Sequence, residues 1–372
     1  TQSAMSVQKK EEDINDIFDS FRPQIDEHIG RWLPRKFDQA SMEEMCGPAH
    51  YAYDIESATN ALLVPIWDIL DRGGKRWRPV LVMLVAQALK DITQDKKTED
   101  AVMSCAYLCE LVHNGSLVVD DIEDDSKMRR GKPCIHLIYN TDVAVNAGNA
   151  MYFMPLNVIK GLRKAGFSEE VVLRAYELYS EELINLHVGQ GLDIWWHSGK
   201  KQPNVEEYLQ MCAYKTGTLA RLSAKLSALV AGADAKQIEA FGRFAEAIGV
   251  AFQIQDDLLN IAGDKFAAKI AVKGEDIHEG KRTLMVIHSA KHATPAKAAR
   301  LEEILLLHTN DQALINEAID IMIETKSLEY AAGVAKDIVT KAWDEVQSIL
   351  PNESQAKNRL RLFADYLIQR DF

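Results

Sequence analysis

The stretch VHNGSLVVDDIEDDSKMRRGK, Val112 to Lys132, decides how the chain is read. Asp120, Asp121, Glu123, Asp124 and Asp125 fall within six positions, and Arg129, Arg130 and Gly131 follow closely. Ahead of them Ala101 to Val119 is apolar. Leu108, Leu111, Val112, Val118 and Val119 recur as on a buried helix, not as on an alternating strand. On that helix Asp120 and Asp124 are one turn apart on one face, and His113, seven residues earlier, lies near the same face. Two carboxylates so placed repel by roughly a few tenths of a kcal/mol when exposed, and by more as the local dielectric falls. If buried, the face requires a cation. All-oxygen ligands suit Mg²⁺, which keeps several waters and is completed by phosphate oxygens. The competing reading is a solvated acidic face. An EF-hand is disfavoured, because the loop glycine and its terminal glutamate are missing.

A second copy tips the balance. Phe252 to Asn260 reads FQIQDDLLN, with Asp256 and Asn260 again four apart and Gln253 three before Asp256. The run Phe244 to Ile261 is again helical in period. Two helices with oxygen-rich patches at matched spacing can hold metal ions between them, with a polyphosphate across.

Working outward, GGKRWRP, Gly73 to Pro79, joins a glycine pair to Lys75, Arg76 and Arg78. Glycine lets backbone approach an anion closely. Arg grips phosphate oxygens as a fork and Lys as a point charge. It is not a P-loop, since GxxxxGK followed by Ser or Thr is absent. Without further support the same residues read as a helix end followed by surface cations. Lys215-Thr216-Gly217 interrupts an apolar helix, where glycine costs on the order of 1 kcal/mol relative to alanine. Either something approaches the backbone there or the helix kinks. Gln190 and Asp193 read as a polar pair at a helix end.

Composition narrows the classes. The 372 residues suffice for one large domain or two ordinary ones, and 47% are apolar. A net charge of −12 argues against nucleic acid and against adsorption to anionic lipid. An anionic substrate would need a local basic cluster and metal. The five cysteines, Cys46, Cys105, Cys109, Cys134 and Cys212, are odd in number and lack framework spacing, so reduced thiols in a cytoplasmic protein are expected. No membrane-spanning segment is expected, and the first residues lack the apolar core of a signal peptide.

Together DDIED with RRG, the second DDLLN, GGKRWRP, YKTG and the late GEDIHEGKRTL resemble the trans-prenyl diphosphate synthases. The resemblance runs from about Leu70 to the end. Within that family HNGSLVVDDIEDDSKMRRGKP is most similar to the geranylgeranyl diphosphate synthases. It implies an all-α bundle of about a dozen helices around a deep central cavity, usually as a homodimer packed through long helices. It implies Mg²⁺-dependent head-to-tail condensation of isopentenyl diphosphate with dimethylallyl, geranyl or farnesyl diphosphate. Asp120, Asp121, Asp124, Lys215 and Asp256 are the implied catalytic set. Up to three Mg²⁺ ions are implied at Asp120, Asp124, Asp256 and Asn260. Asn260 departs from the usual third aspartate, as in eukaryotic geranylgeranyl synthases. Gly74, Lys75, Arg78, His113 and Arg130 would bind isopentenyl diphosphate. Arg129, Lys215, Thr216, Gln253 and Lys281 would bind the allylic diphosphate, with Lys269 or Lys273 from the adjoining loop, which would act as a lid. Gln190 and Asp193 match positions lining the cavity. A terpene cyclase would lack the isopentenyl site, and a non-catalytic regulatory subunit usually loses an aspartate motif; both features are present here.

The layout expected is a flexible tail over residues 1–11 and one domain over 12–372. An outer helix from Ile14 is broken near Pro23, and an irregular stretch runs from Trp32 to Ala52. Short-chain members often carry large residues four and five before the first aspartate. Ser116 and Gly115 are small, so a tail could pass at least one further turn, stopping at Tyr107, Leu108, Val112, Tyr152 or Phe153. A C20 product follows.

Overall fold

The computed structural model describes residues 12–263, 274–350 and 353–368. The tail 1–11 lies outside them, as do Lys269 and Lys273. The architecture is all-α, as expected. In chain order the helices are α1 Ile14–Trp32, α2 Gln39–Cys46, α3 Ile55–Ala58, α4 Val64–Asp71, α5 Trp77–Leu89, α6 Lys96–Glu123, α7 Ile135–Tyr139, α8 Thr141–Phe153, α9 Leu156–Lys164, α10 Glu169–His197, α11 Val205–Lys215, α12 Gly217–Val230 and α13 Ala235–Ala262. After them come α14 Glu275–Glu279, α15 Leu284–His292, α16 Pro295–Leu307, α17 Gln312–Glu324, α18 Ser327–Gln347 and α19 Gln355–Ile368.

Capping residues set several of the starts. Asp95 accepts from the Thr98 N–H ahead of α6, and Ser168 from Val171 ahead of α10. Reciprocal boxes, Asn204 with Glu207 and Asp234 with Gln237, open α11 and α13. Helices α5 and α12 are buried on nearly every side. Within α12 the buried Arg221 is balanced by a two-pronged bond to Glu182 of α10, 2.7 and 2.6 Å. Removing one partner of such a pair costs about 3–5 kcal/mol. Helix α6 is the one described helix long and apolar enough to match a membrane span by length and hydropathy. Its apolar window is 72% buried inside the protein, packed on α5, α8 and α12, so its hydrophobicity serves the core.

Several local expectations are corrected. Helix α1 runs unbroken through Pro23. Burial of Ile17, Phe18, Phe21, Ile25 and Ile29 along one stripe outweighs the local penalty of one proline. The stretch after Trp32 contains α2, opened by an Asp38–Ser41 capping box. At Thr216 the chain kinks between α11 and α12, and helix packing explains the glycine beside it. A Cβ on Gly249 of α13 would stand 2.6 Å from the Gly217 Cα, and one on Gly189 of α10 would stand 2.4 Å from the Lys215 N. The approach to the backbone is therefore made by neighbouring helices. A two-residue antiparallel ladder, β1 Met128–Arg129 with β2 Lys132–Pro133, follows α6. Its turn places Arg130 and Gly131 at φ 52° and 78°, as a type I′ hairpin requires.

Candidate active site

The acidic end of α6 faces α10 and α11. Gln190 Nε2 donates to Asp120 Oδ1 at 2.6 Å. Lys215 Nζ lies 3.5 Å from the same oxygen and 2.7 Å from Asp193 Oδ2. Burial alone would raise the Asp120 carboxyl; Lys215, Lys281 and the Gln190 bond outweigh it and hold it well below the ordinary range. Asp124 is pushed the other way, up to about 8, by burial and then by Asp120. Its Oδ1 is buried and has no hydrogen-bond partner. Asp121 turns inward, 2% exposed, and receives Arg129 through Nε at 3.0 Å and Nη2 at 2.5 Å.

The second motif ends α13. Asp256 is exposed and exerts a field on Arg78. Asp257, 4% exposed, accepts from the Tyr208 hydroxyl at 2.5 Å and from Gln253 Nε2 at 2.9 Å. Gln253 Oε1 in turn accepts from the Thr216 hydroxyl at 2.7 Å. Burial pushes Asp257 up to about 6, against those two bonds. Asn260 Oδ1 accepts the Asp276 N–H at 3.1 Å and its carbonyl accepts the Gly274 N–H, so this residue anchors the start of α14. Just past α14, Lys281 Nζ lies 3.1 Å from Glu279 and 3.7 Å from Asp276. Burial raises both carboxyls to about 7, while Lys281 opposes the shift. A pocket between these elements is lined by Asp193, Lys215, Gln253, Asp257 and Lys281. Lys215 connects this pocket to the first motif through its 3.5 Å approach to Asp120 Oδ1.

Basic groups gather two turns before Asp120. Arg78, 6% exposed, approaches His113 Nε2 through Nη1 at 3.3 Å. Burial and four arginines hold the His113 imidazole well below its usual pKa. Arg only donates, so Nε2 of the neutral ring accepts and Nδ1 carries the proton. Arg130 packs on Gly74, where a Cβ would meet its Nη2 at 3.0 Å. Lys75 is exposed and bonds the Tyr366 hydroxyl of α19. Arg72 pins the RRG hairpin by donating to the carbonyls of Arg129 and Pro133, at 3.1 and 2.8 Å.

Below Asp120 the two small residues differ. Ser116 is partly open, on the His113 side of the helix. Gly115 is buried, and a Cβ there would stand 2.6 Å from the Met151 Cβ. It serves packing of α6 on α8. Phe153 is 70% exposed in the chain, so it does not wall an internal cavity, contrary to expectation. Tyr107 is buried and stacked on Trp32, 6.1 Å between centroids. The Tyr179 hydroxyl donates to the Tyr152 carbonyl.

Sequence reasoning missed Tyr208, Asp257, Asp276 and Glu279 in this neighbourhood. Asp257 was visible beside Asp256, but nothing local distinguishes the inward-turned carboxylate from the outward one.

Fold and site define a class, an all-α helical bundle whose paired acidic helix ends lie beside clustered basic groups. Residues 59–322 match the polyprenyl synthetase family model. A geranylfarnesyl diphosphate synthase of Aeropyrum pernix is 31% identical over 323 residues, covering 86% of this chain and 98% of that protein. A geranylgeranyl pyrophosphate synthase of Rhodocybe pseudopiperita is 38% identical over 230 residues, 62% of this chain and 64% of that one. The crystal structure of geranylgeranyl pyrophosphate synthetase from Pyrococcus horikoshii superposes with a TM-score of 0.80 at 30% identity, covering 96% of this chain and 98% of that one. The chain belongs to the polyprenyl synthetase family and is a prenyltransferase of isoprenoid biosynthesis.

Proposed function

We propose that this enzyme condenses isopentenyl diphosphate head-to-tail with allylic diphosphates and releases a C20 product, geranylgeranyl diphosphate. The observation that carries the reading is the layout of α6. Its acidic end, with Lys215, stands two turns above His113, Arg78 and Arg130. One helix thus presents a site for a metal-bridged diphosphate beside a site for a metal-free one.

The residues fit a divalent ion. Asp124 has a buried oxygen without a partner and a carboxyl raised to about 8, the state a cation would relieve. Among the described residues no three His, Cys, Asp or Glu side chains form a ready-made metal cluster. This suits Mg²⁺, which takes one or two carboxylates and draws its other ligands from water and phosphate. Asp120, Asp124 and Asp256 would hold up to three such ions, with Asn260 as a neutral ligand. When bound, the metal supplies Lewis-acid stabilisation of the departing diphosphate.

The chain's own groups do the rest. Lys215, Lys281 and Arg129 balance the allylic diphosphate, and Thr216 and Gln253 orient it. The allylic C–O bond breaks with both electrons leaving on the diphosphate. Lys75, Arg78, Arg130, Gly74 and the neutral His113 hold isopentenyl diphosphate so that its double bond attacks the allylic cation. A proton is then lost to the released diphosphate, so no dedicated protein base is required. Apolar walls keep water from the cation.

Relatives of the chain make both C20 and C25 products by name. Tyr107, buried and stacked on Trp32, favours C20. It lies thirteen residues before Asp120, roughly 20 Å along a helix, or about four isoprene units of one turn each. We further propose a homodimer. On α10, Leu173, Ile184, Val188 and Trp195 form one exposed apolar stripe, and Phe153 of α8 is exposed too. All five cysteines are free, consistent with a cytoplasmic enzyme.

Incubation with labelled isopentenyl diphosphate, each allylic starter and Mg²⁺, followed by sizing of the dephosphorylated products, tests the function. C20 alcohol is expected. No incorporation with any starter overturns the reading. Sedimentation tests the dimer: a monomer at micromolar concentration overturns it.

A further inference from the structure

The two basic loops, GGKRW before α5 and RRG after α6, are far apart in sequence yet meet over one spot. What joins them is a buried polar chain. Arg76, at φ 53°, bonds Glu110 Oε1 through Nη1 at 2.9 Å, the Leu70 carbonyl at 3.1 Å, and Asp26 of α1 at 3.1 Å. Glu110 is 2% exposed and Asn114 is 0% exposed. Asn114 Nδ2 donates to Glu110 Oε1 at 3.0 Å and to the Glu110 carbonyl at 2.8 Å. Its Oδ1 accepts from Arg130 Nη1 at 3.1 Å, and the same nitrogen reaches the Ile69 carbonyl at 3.2 Å. Arg130 is itself in the left-handed region, and its guanidinium packs against Gly74, where a Cβ would meet Nη2 at 3.0 Å.

We infer that Asn114, oriented by Glu110 and Arg76, is a positioning residue that fixes the Arg130 guanidinium and so sets the affinity for isopentenyl diphosphate. This rests on the reading of the site given above. The chemistry favours it. A side-chain amide has one face that donates and one that accepts, so it can link a carboxylate to a guanidinium where neither charged group could do so by itself. Burial draws Arg78 and Arg130 down to about 10, and Glu110 is the largest counterweight for both. One buried anion thereby keeps several clustered cations charged and in place before substrate arrives. Groups held in this way need little reorganisation on binding.

Glu110 is not the best residue to substitute. Removing its charge makes the cradle more cationic, which favours an anionic ligand and opposes the loss of positioning. Asn114→Leu leaves every charge unchanged and keeps the volume, so it isolates positioning. Initial rates would be measured with each substrate varied while the other is saturating. For Asn114→Leu the KM for isopentenyl diphosphate is expected to rise about ten-fold. The allylic KM should stay within about two-fold, because that diphosphate meets other residues. If Asn114→Leu does not fold, Asn114→Ser, which keeps a polar group at the site, should show the same asymmetry at about three-fold.

A purely structural role would lower the active fraction and therefore kcat, leaving both KM values alone; that result overturns the inference. So does an equal rise of both KM values. A wild-type enzyme that consumes no isopentenyl diphosphate overturns the functional reading together with the inference. A wild-type enzyme that consumes it, beside variants with unchanged KM, removes the inference alone.

Discussion

The ends of α6 and α13 carry nearly the same motif and use it differently. In each, the second aspartate turns inward and holds a partner in place: Asp121 takes Arg129, and Asp257 takes Tyr208 and Gln253. The first and fifth positions diverge. On α6, Asp120 is clamped by Lys215 and Gln190, and Asp124 keeps an unsatisfied oxygen. On α13, Asp256 is exposed, and Asn260 spends its oxygen on the backbone of α14. A carboxylate at 260 would face Asp257 and Asp276, already raised to about 6 and about 7. Matched spacing thus puts a cation-clamped carboxylate beside an unsatisfied one on one helix and an anchor on the other. The neutral residue at 260 has an electrostatic reason that does not depend on its ability to bind metal.

The largest expected effect tests this asymmetry. Asp120→Ala should lower kcat/KM by about 10³-fold and Asp256→Ala by about 10²-fold. Steady-state kinetics with the reverse order would break the comparison. Next comes the floor beneath α6. Ser116→Phe should shift the product to C15 or shorter, seen by chromatography of the dephosphorylated alcohols. Gly115→Leu should instead lose about 1–3 kcal/mol in denaturant titrations, since its Cβ would overlap Met151. A Gly115→Leu protein of full stability with a shortened product would place the tail against α8.

Metal and pH sharpen the α6 side. Asp124 is raised from about 4 to about 8. Between those values the folded protein keeps a proton that the unfolded chain has lost, so without metal this group makes stability fall as pH rises from about 4 to about 8. Mg²⁺ with pyrophosphate should displace that proton and raise Tm more at pH 8 than at pH 6. Asp124→Asn should flatten the difference in a thermal-shift series, and an unaltered difference would locate the cation elsewhere. The smallest effect belongs to the α13 side. Asn260→Asp should change kcat less than ten-fold while lowering Tm in chelator, with recovery on adding Mg²⁺ and pyrophosphate. A gain in Tm in chelator would refute the crowding of charge described above.

Much of this was readable along the chain because the informative contacts are local. Asp120 to Asp124 and Asp256 to Asn260 are one helical turn each, and the 3.6-residue period turns spacing into a shared face. The glycine of YKTG shows where local reading stops. Its cost was visible, but its cause, Gly249 pressed against it from α13, is an encounter between segments distant in sequence. Pro23 is the reverse case. Its local penalty was overstated because burial of five apolar residues on α1 could not be weighed without the core that covers them.

From the order of its residues alone this chain is a helical bundle with two oxygen-rich helix ends and a set of basic loops, since periodicity and short-range charge are written into adjacent positions. Which carboxylate stays open, which turns inward to hold a neighbour, and how Asn114 links two loops were settled only by packing. Those outcomes depend on desolvation and on partners brought from other helices, and neither quantity exists until the chain has folded.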